Sequence, residues 1–134
     1  MERLEYIFET KLIYGYDGDT LTMLDDLGHG VSFKSKVRLS GINTPELRGG
    51  TSLTKQAAKL VRDYVREWCG EEALTSVSYK DDLDKYGRWL IRLYKGDVML
   101  NDHLLKMGFA QPYDGGAKIP WSASQINNII KALT

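Results

Sequence analysis

Three short segments gather acidic, basic and amide side chains at places where the chain must turn. They are Asp17-Gly18-Asp19-Thr20, then Val37-Arg38-Leu39-Ser40-Gly41-Ile42-Asn43-Thr44-Pro45-Glu46, then Asp84-Lys85-Tyr86-Gly87-Arg88. If the first two meet, Asp19, the Asn43 amide oxygen, a backbone carbonyl and Glu46 make an all-oxygen cluster. That donor set suits a hard cation such as calcium or magnesium, not zinc or copper. Taken alone, the two segments read more simply as a glycine turn and a proline bend. Arg38, placed inside an apolar strand pattern, and Arg88, placed directly after a glycine, shift that balance. A guanidinium forks two hydrogen bonds to a phosphate and stays charged at any working pH. Two of them beside a carboxylate–cation cluster supply what phosphodiester cleavage requires. Positive groups neutralise charge growing on the phosphate oxygens, while a carboxylate orients or deprotonates the attacking water. Either arginine by itself is an ordinary strand-edge residue; the set together carries the chemistry.

The elements that must position these residues follow from the hydrophobic pattern. Tyr6 to Tyr16 is rich in β-branched and aromatic residues, and Thr20 to Leu24 alternates apolar and polar positions. The stretch 25–30 (Asp-Asp-Leu-Gly-His-Gly) reads as a turn, with a third strand from Val31 to Ile42. After a loop, Asn43 to Ser52, the period changes. Leu53, Ala57, Leu60, Val61, Tyr64, Val65 and Trp68 fall on one helical face, with Thr51 or Ser52 as cap and Gly70 as stop. Two further strands are expected near Ala73–Lys80 and Arg88–Tyr94, then a short helix from Asn101 to Met107 ended by Gly108. Pro120 is expected to open a last helix striped by Ile126, Ile129, Ile130 and Leu133. Five strands, a helix after the third and a helical end predict an α+β fold, a five-stranded OB-type β-barrel with three helices.

The 134 residues make one domain by length, 1–134. Eighteen basic residues balance eighteen acidic ones, so no global field draws in a polyanion, and nucleic-acid binding must rest on a local patch. The single cysteine, Cys69, excludes an intramolecular disulfide and reads as a small buried hydrophobe. No stretch approaches the roughly 20 apolar residues of a membrane span. The first ten residues carry four charges and no signal-type apolar run. A soluble, intracellular monomer is the expectation, with a leader removed before this numbering as the alternative.

The three motifs, in this order and spacing, resemble the staphylococcal nuclease (thermonuclease-like) family. The segment from Asn101-Asp102-His103-Leu104-Leu105 to Gly108-Phe109-Ala110 is similar to a further family segment, so the resemblance runs from about Tyr14 to Tyr113. It implies a metal-dependent endonuclease acting on DNA or RNA and leaving 3′-phosphate and 5′-hydroxyl ends. By the same resemblance Asp19 and the Thr44 main-chain carbonyl are calcium ligands, and Glu46 positions or deprotonates the attacking water. Arg38 and Arg88 are the catalytic arginines; Lys85 and Tyr86 meet a terminal phosphate of the nucleotide; Tyr113 packs near base or sugar. One departure stands out: Asn43 occupies a ligand position that is usually aspartate in the family. An amide oxygen still coordinates, but the site loses a negative charge, which weakens calcium binding and opens the choice of ion to magnesium. The alternative is a catalytically weak or inactive OB-fold module that binds nucleic acid without cutting it, but such modules usually lack an arginine or the glutamate, all retained here.

Outside the motifs, His29 reads as an exposed turn residue and His103 as a surface-helix residue, while Asn101 reads as a helix cap. Trp68, Trp89 and Trp121 read as packing residues, and Arg48 as either a solvated loop arginine or a phosphate contact.

Overall fold

The computed structural model describes residues 4–134. Its elements run β1 (Glu5–Asp17), β2 (Thr20–Gly28), β3 (Val31–Leu39), β4 (Ile42–Asn43), α1 (Ser52–Cys69), β5 (Leu74–Leu83), β6 (Trp89–Lys95), β7 (Val98–Met99), α2 (Leu100–Met107), β8 (Gln111–Pro112) and α3 (Ala123–Leu133). Alternation along the long strands sends Leu21 and Met23, Val37 and Leu39, Leu74 and Ser76, and Ile91 and Leu93 to one buried side. β1 pairs antiparallel with both β2 and β5, β2 with β3, and β5 with β6. A parallel pairing of β3 with β6 closes these five strands into a ring. The α+β, five-stranded OB-type barrel with three helices is therefore the observed architecture.

The stretch 25–27 is not a turn. Asp25 and Asp26 pair with Phe33 and Ser32 across β2–β3, and the reversal is confined to Gly28-His29-Gly30. All three residues there have left-handed backbone, with φ of +80°, +54° and +75°, and flanking glycines let a tight hairpin form around His29. The two acidic residues that suggested a longer turn are held in the ladder. Asp25 accepts a hydrogen bond from the Thr10 hydroxyl at 2.7 Å.

Helix α1 begins where Thr51 accepts a hydrogen bond from the Thr54 amide, and it ends at Gly70. It buries Ala57, Ala58, Val61, Val65 and Cys69 against the barrel. Burial pushes the Cys69 thiol up to about 12, so it behaves as an apolar filler at neutral pH. Helix α3 is capped by Ser122 and starts at Ala123, not at Pro120. Ser122 and Gln125 form a reciprocal capping box, which satisfies two amides that proline cannot. Its Ile126 and Ile129 join the same core.

Asn101 is not a cap: helix α2 starts after Met99 with no side-chain cap. Its side chain is buried and bridges three backbone groups. Oδ1 accepts from the Leu93 amide at 3.1 Å, while Nδ2 donates to Ser40 O at 2.9 Å and Ile91 O at 3.1 Å. The amide thereby pins α2 to β6 and to the end of β3, immediately before the loop that carries Asn43 to Glu46. His103 is likewise half-buried rather than superficial, with its Nε2 2.5 Å from the Tyr64 hydroxyl of α1. Asn101→Leu keeps the volume but orphans a buried amide and removes a partner from two carbonyls. It is expected to lower unfolding free energy by about 2–4 kcal/mol, measured as a fall in urea midpoint at constant slope.

Candidate active site

The β1–β2 connection is tight because Gly18 lies against helix α1. A Cβ there would sit 2.7 Å from Val61 Cγ1 and 3.1 Å from the Thr44 side chain. That close approach turns Asp19 inward, and only 2% of it remains exposed. Its carboxylate is surrounded by donors: Arg38 Nη1 at 3.0 Å, the Thr44 amide at 3.0 Å and the Thr20 hydroxyl at 3.0 Å. Arg38 is held from its other side by Ile42 O, which accepts from Nη2 at 3.1 Å. A buried charge survives only when paired and hydrogen-bonded, and Asp19 and Arg38 meet that condition for each other.

Arg88 arrives from the start of β6. The Asp84 carboxylate accepts from the Tyr86 and Arg88 amides, each at 2.9 Å, and from Arg88 Nε at 2.7 Å. Burial alone would raise the Asp84 carboxyl, but these donors outweigh it and hold the group below its ordinary value. So oriented, Arg88 Nη1 reaches Thr20 Oγ1 at 3.4 Å, and Thr20 in turn binds Asp19. The two arginines are thus connected through Thr20 and Asp19.

Two adjoining clefts share Arg38, Tyr86, Arg88 and Lys118. The first, about 490 Å³, adds Lys85 and Tyr113, whose ring lies 5.1 Å from the Arg38 guanidinium. The second, about 730 Å³, adds Asp17, Asp19, Glu46 and Arg48. Tyr113 is carried there by the β4–β8 pair, and its amide donates to Gly41 O at 2.9 Å. Glu46 forms an ion pair with Lys118, a partner 72 residues away that sequence spacing does not announce. Asn43 does not line either of these two clefts. It faces a third, with Glu46, Arg48 and Lys118, and its Oδ1 is buried with no hydrogen-bond partner.

Asp17, to which the motif pattern assigns no role, also lines the second cleft beside Asp19. Burial, then the charge of Asp19, raise the Asp17 carboxyl above its ordinary value; the Leu47 amide, at 3.4 Å, relieves this only in part. Among the described residues no group of three or more His, Cys, Asp or Glu side chains has metal-holding geometry. The donors nearby are oxygens, the type that a hard divalent cation takes. Two carboxylates repel each other there, and the Asn43 oxygen, one residue from the amide that grips Asp19, lacks a donor.

Residues 36–129 match the family described as Staphylococcal nuclease homologue. The chain belongs to that family. It is 30% identical over 95 residues to a thermonuclease of Staphylococcus intermedius, covering 71% of this chain and 54% of that protein. It is 27% identical over 101 residues to a thermonuclease of Staphylococcus hyicus, covering 75% and 57% respectively. The chain therefore spans about half the length of the curated relatives it matches. Within the family's matched region lie Arg38, Asn43, Thr44, Glu46, Lys85, Tyr86, Arg88 and Tyr113, whereas Asp17 and Asp19 precede it.

The Asp84–Arg88 clamp has a defined pH signature. Because the folded-state carboxyl is depressed, its stabilisation is present above the unfolded carboxylate range and is lost as pH falls through the folded value. Asp84→Asn is expected to destabilise the protein by about 1–2 kcal/mol at neutral pH. The gap between parent and variant should close on acidification, followed by thermal melts across the acidic range.

Proposed function

We propose that the site is that of a nuclease, which hydrolyses phosphodiester bonds in DNA or RNA with water attacking phosphorus. The observation that carries this reading is the joining of Arg38 and Arg88 through Asp19 and Thr20 in a cleft that also holds Glu46. Two fixed guanidinium groups match the oxygens of a phosphodiester and require little reorganisation as charge develops in the transition state. Glu46 is the carboxylate available to orient or deprotonate the attacking water, and release from Lys118 leaves it free to accept a proton. Lys85 and Tyr86 are assigned to a neighbouring phosphate, and Tyr113 to the base or sugar beside Arg38.

Asp19, Asn43 and the Thr44 carbonyl are the residues proposed to hold a divalent cation, with Asp17 as a further oxygen donor nearby. Calcium is the first candidate and magnesium the second. Bound there, such an ion would neutralise phosphate charge and lower the cost of forming hydroxide from water. The amide at Asn43 gives up one unit of negative charge relative to a carboxylate and so weakens the attraction for the ion.

Either Arg38→Ala or Arg88→Ala is expected to lower the rate of strand cleavage about 10²- to 10³-fold, as for loss of a donor to a developing oxyanion. Gel assays on plasmid and heat-denatured DNA across a panel of divalent ions, with end-group analysis of the products, measure it. Parent-like rates in both variants would reject the assignment; binding by the parent without cleavage at any ion would make the chain a binding module.

Asn43→Asp is expected to lower the divalent-ion concentration that half-saturates cleavage. An unchanged midpoint in the metal titration would remove Asn43 from the ion site.

A further inference from the structure

On the barrel wall beside the second cleft, two tyrosines stand exposed for no packing reason. Tyr14 and Tyr16 project from β1 with 50% and 40% of their surface in solvent, and the residue between them, Gly15, is buried. Their rings meet edge to face, with centroids 4.7 Å apart. Each ring carries a cation: Lys36 Nζ lies 4.1 Å from the Tyr16 centroid and Arg66 Cζ 4.8 Å from that of Tyr14. Arg66 is fixed by donating from Nε and Nη2 to Gly15 O, at 3.2 and 2.6 Å. The Tyr16 hydroxyl accepts from Thr22 at 3.3 Å, which limits the ring's rotation.

This pair borders the reactive residues. Tyr14, Tyr16 and Lys36 line the same cleft as Asp19, Arg38 and Arg88, whereas Tyr113 lies only in the other cleft. Arg38 and Arg88 therefore sit at the junction of two aromatic-bearing clefts. Asp63 pairs with Arg62 at 3.0 Å and Arg66 at 3.7 Å, while Asp17, Asp19 and Glu46 line the cleft itself. Lys36 has no acidic partner among the described residues and is free to meet a phosphate. Exposed rings flanked by cations are what a sequence-tolerant contact with unpaired bases requires, since every base presents a stacking face and the backbone is anionic.

We propose that Tyr14 and Tyr16, each with one face covered by Lys36 or Arg66, form a stacking platform whose exposed ring surface takes an unpaired base of a single-stranded nucleic acid whose backbone crosses Arg38 and Arg88. The inference rests on the nuclease reading for its substrate, and it makes that site selective for unpaired strands. A duplex hides its base faces and gains only the electrostatic part of the contact.

The test reads binding apart from cleavage. Fluorescence anisotropy follows a labelled single strand of about ten nucleotides, and the same sequence as a duplex, in chelator at low salt. The Tyr14→Ala/Tyr16→Ala double variant is expected to weaken single-strand binding about 5- to 100-fold while leaving duplex binding within about twofold. Tyr14→Phe/Tyr16→Phe, which keeps both ring faces, should bind like the parent, and thermal melts of both variants should match it. Single-strand affinity unmoved by the alanine pair, or lost equally for duplex, overturns the platform. A parent that binds single strands through the tyrosines but never cuts keeps the platform and rejects the nuclease reading. A nuclease whose strand affinity ignores both tyrosines does the reverse.

Discussion

The organising interaction is the burial of one carboxylate. Asp19 is almost wholly removed from water, and isolated charges in such a setting are not tolerated. The fold therefore has to deliver three donors to it from three places: the Arg38 guanidinium from β3, the Thr44 amide from the loop after β4, and the Thr20 hydroxyl from the start of β2. Removing a single partner from such a pair typically costs about 3–5 kcal/mol, so the three segments must find one register together. Gly18 makes the arrangement possible, since any side chain there would collide with Val61 of α1 and with Thr44 itself. The same constraint that stabilises the turn thus fixes the geometry of the cleft.

Barrel closure does the rest of the positioning. The parallel β3–β6 contact sets Val37 opposite Trp89 and Arg38 opposite Leu90. Arg88 immediately precedes that register and so emerges at the same end of the seam as Arg38. A parallel pairing needs a long crossover connection, and here α1 and β5 supply it. Asn101 then secures the seam from behind, because the carbonyls and amide it satisfies belong to β6 and to Ser40, the last residue before the site loop turns. A buried polar bridge of this kind favours one register over a slipped one, as the slipped ladder leaves its partners unpaired.

Much of this was legible in the sequence wherever the signal was local. Period-two and period-3.6 patterns gave the strands and α1, and the three motifs placed Asp19, Arg38 and Arg88 at element ends that do converge. The errors have physical causes. Two adjacent aspartates before a glycine look like a turn, but the ladder to Ser32 and Phe33 absorbs them and only Gly28-His29-Gly30 reverses the chain. Pro120 suits a first helical turn, yet the reciprocal Ser122–Gln125 box satisfies more amides and wins. Asn101 has a cap's chemistry but lies one residue inside the helix, and its role is decided by distant backbone groups that no local pattern encodes. The same holds for Lys118 beside Glu46 and for His103 against Tyr64. Long-range pairing is the part that a linear reading lacks, and it is also what assembles the cleft.

Charge accounting within the site gives the Asn43 position its meaning. Asp19 is neutralised by Arg38, Asp84 by Arg88 and Glu46 by Lys118. Among the described residues Asp17 has no cation in salt-bridge contact, only a long amide contact, and burial together with Asp19 raises its carboxyl. Lys118 offsets this only in part, so Asp17 and Asp19 repel each other although the cleft as a whole is lined by more basic than acidic side chains. A carboxylate at residue 43, next to the residue whose amide grips Asp19 and facing the cleft of Glu46, would add a further like charge near these groups. An amide avoids that repulsion and leaves a buried oxygen in want of a donor. At the proposed ion site the same amide would present one unit less of negative charge to a divalent ion, so repulsion within the fold and ion affinity would be set against each other at one residue. With no net field to steer a polyanion from a distance, short-range contacts must supply what attraction the site has: fixed guanidinium groups, a cation where one binds, and exposed aromatic faces.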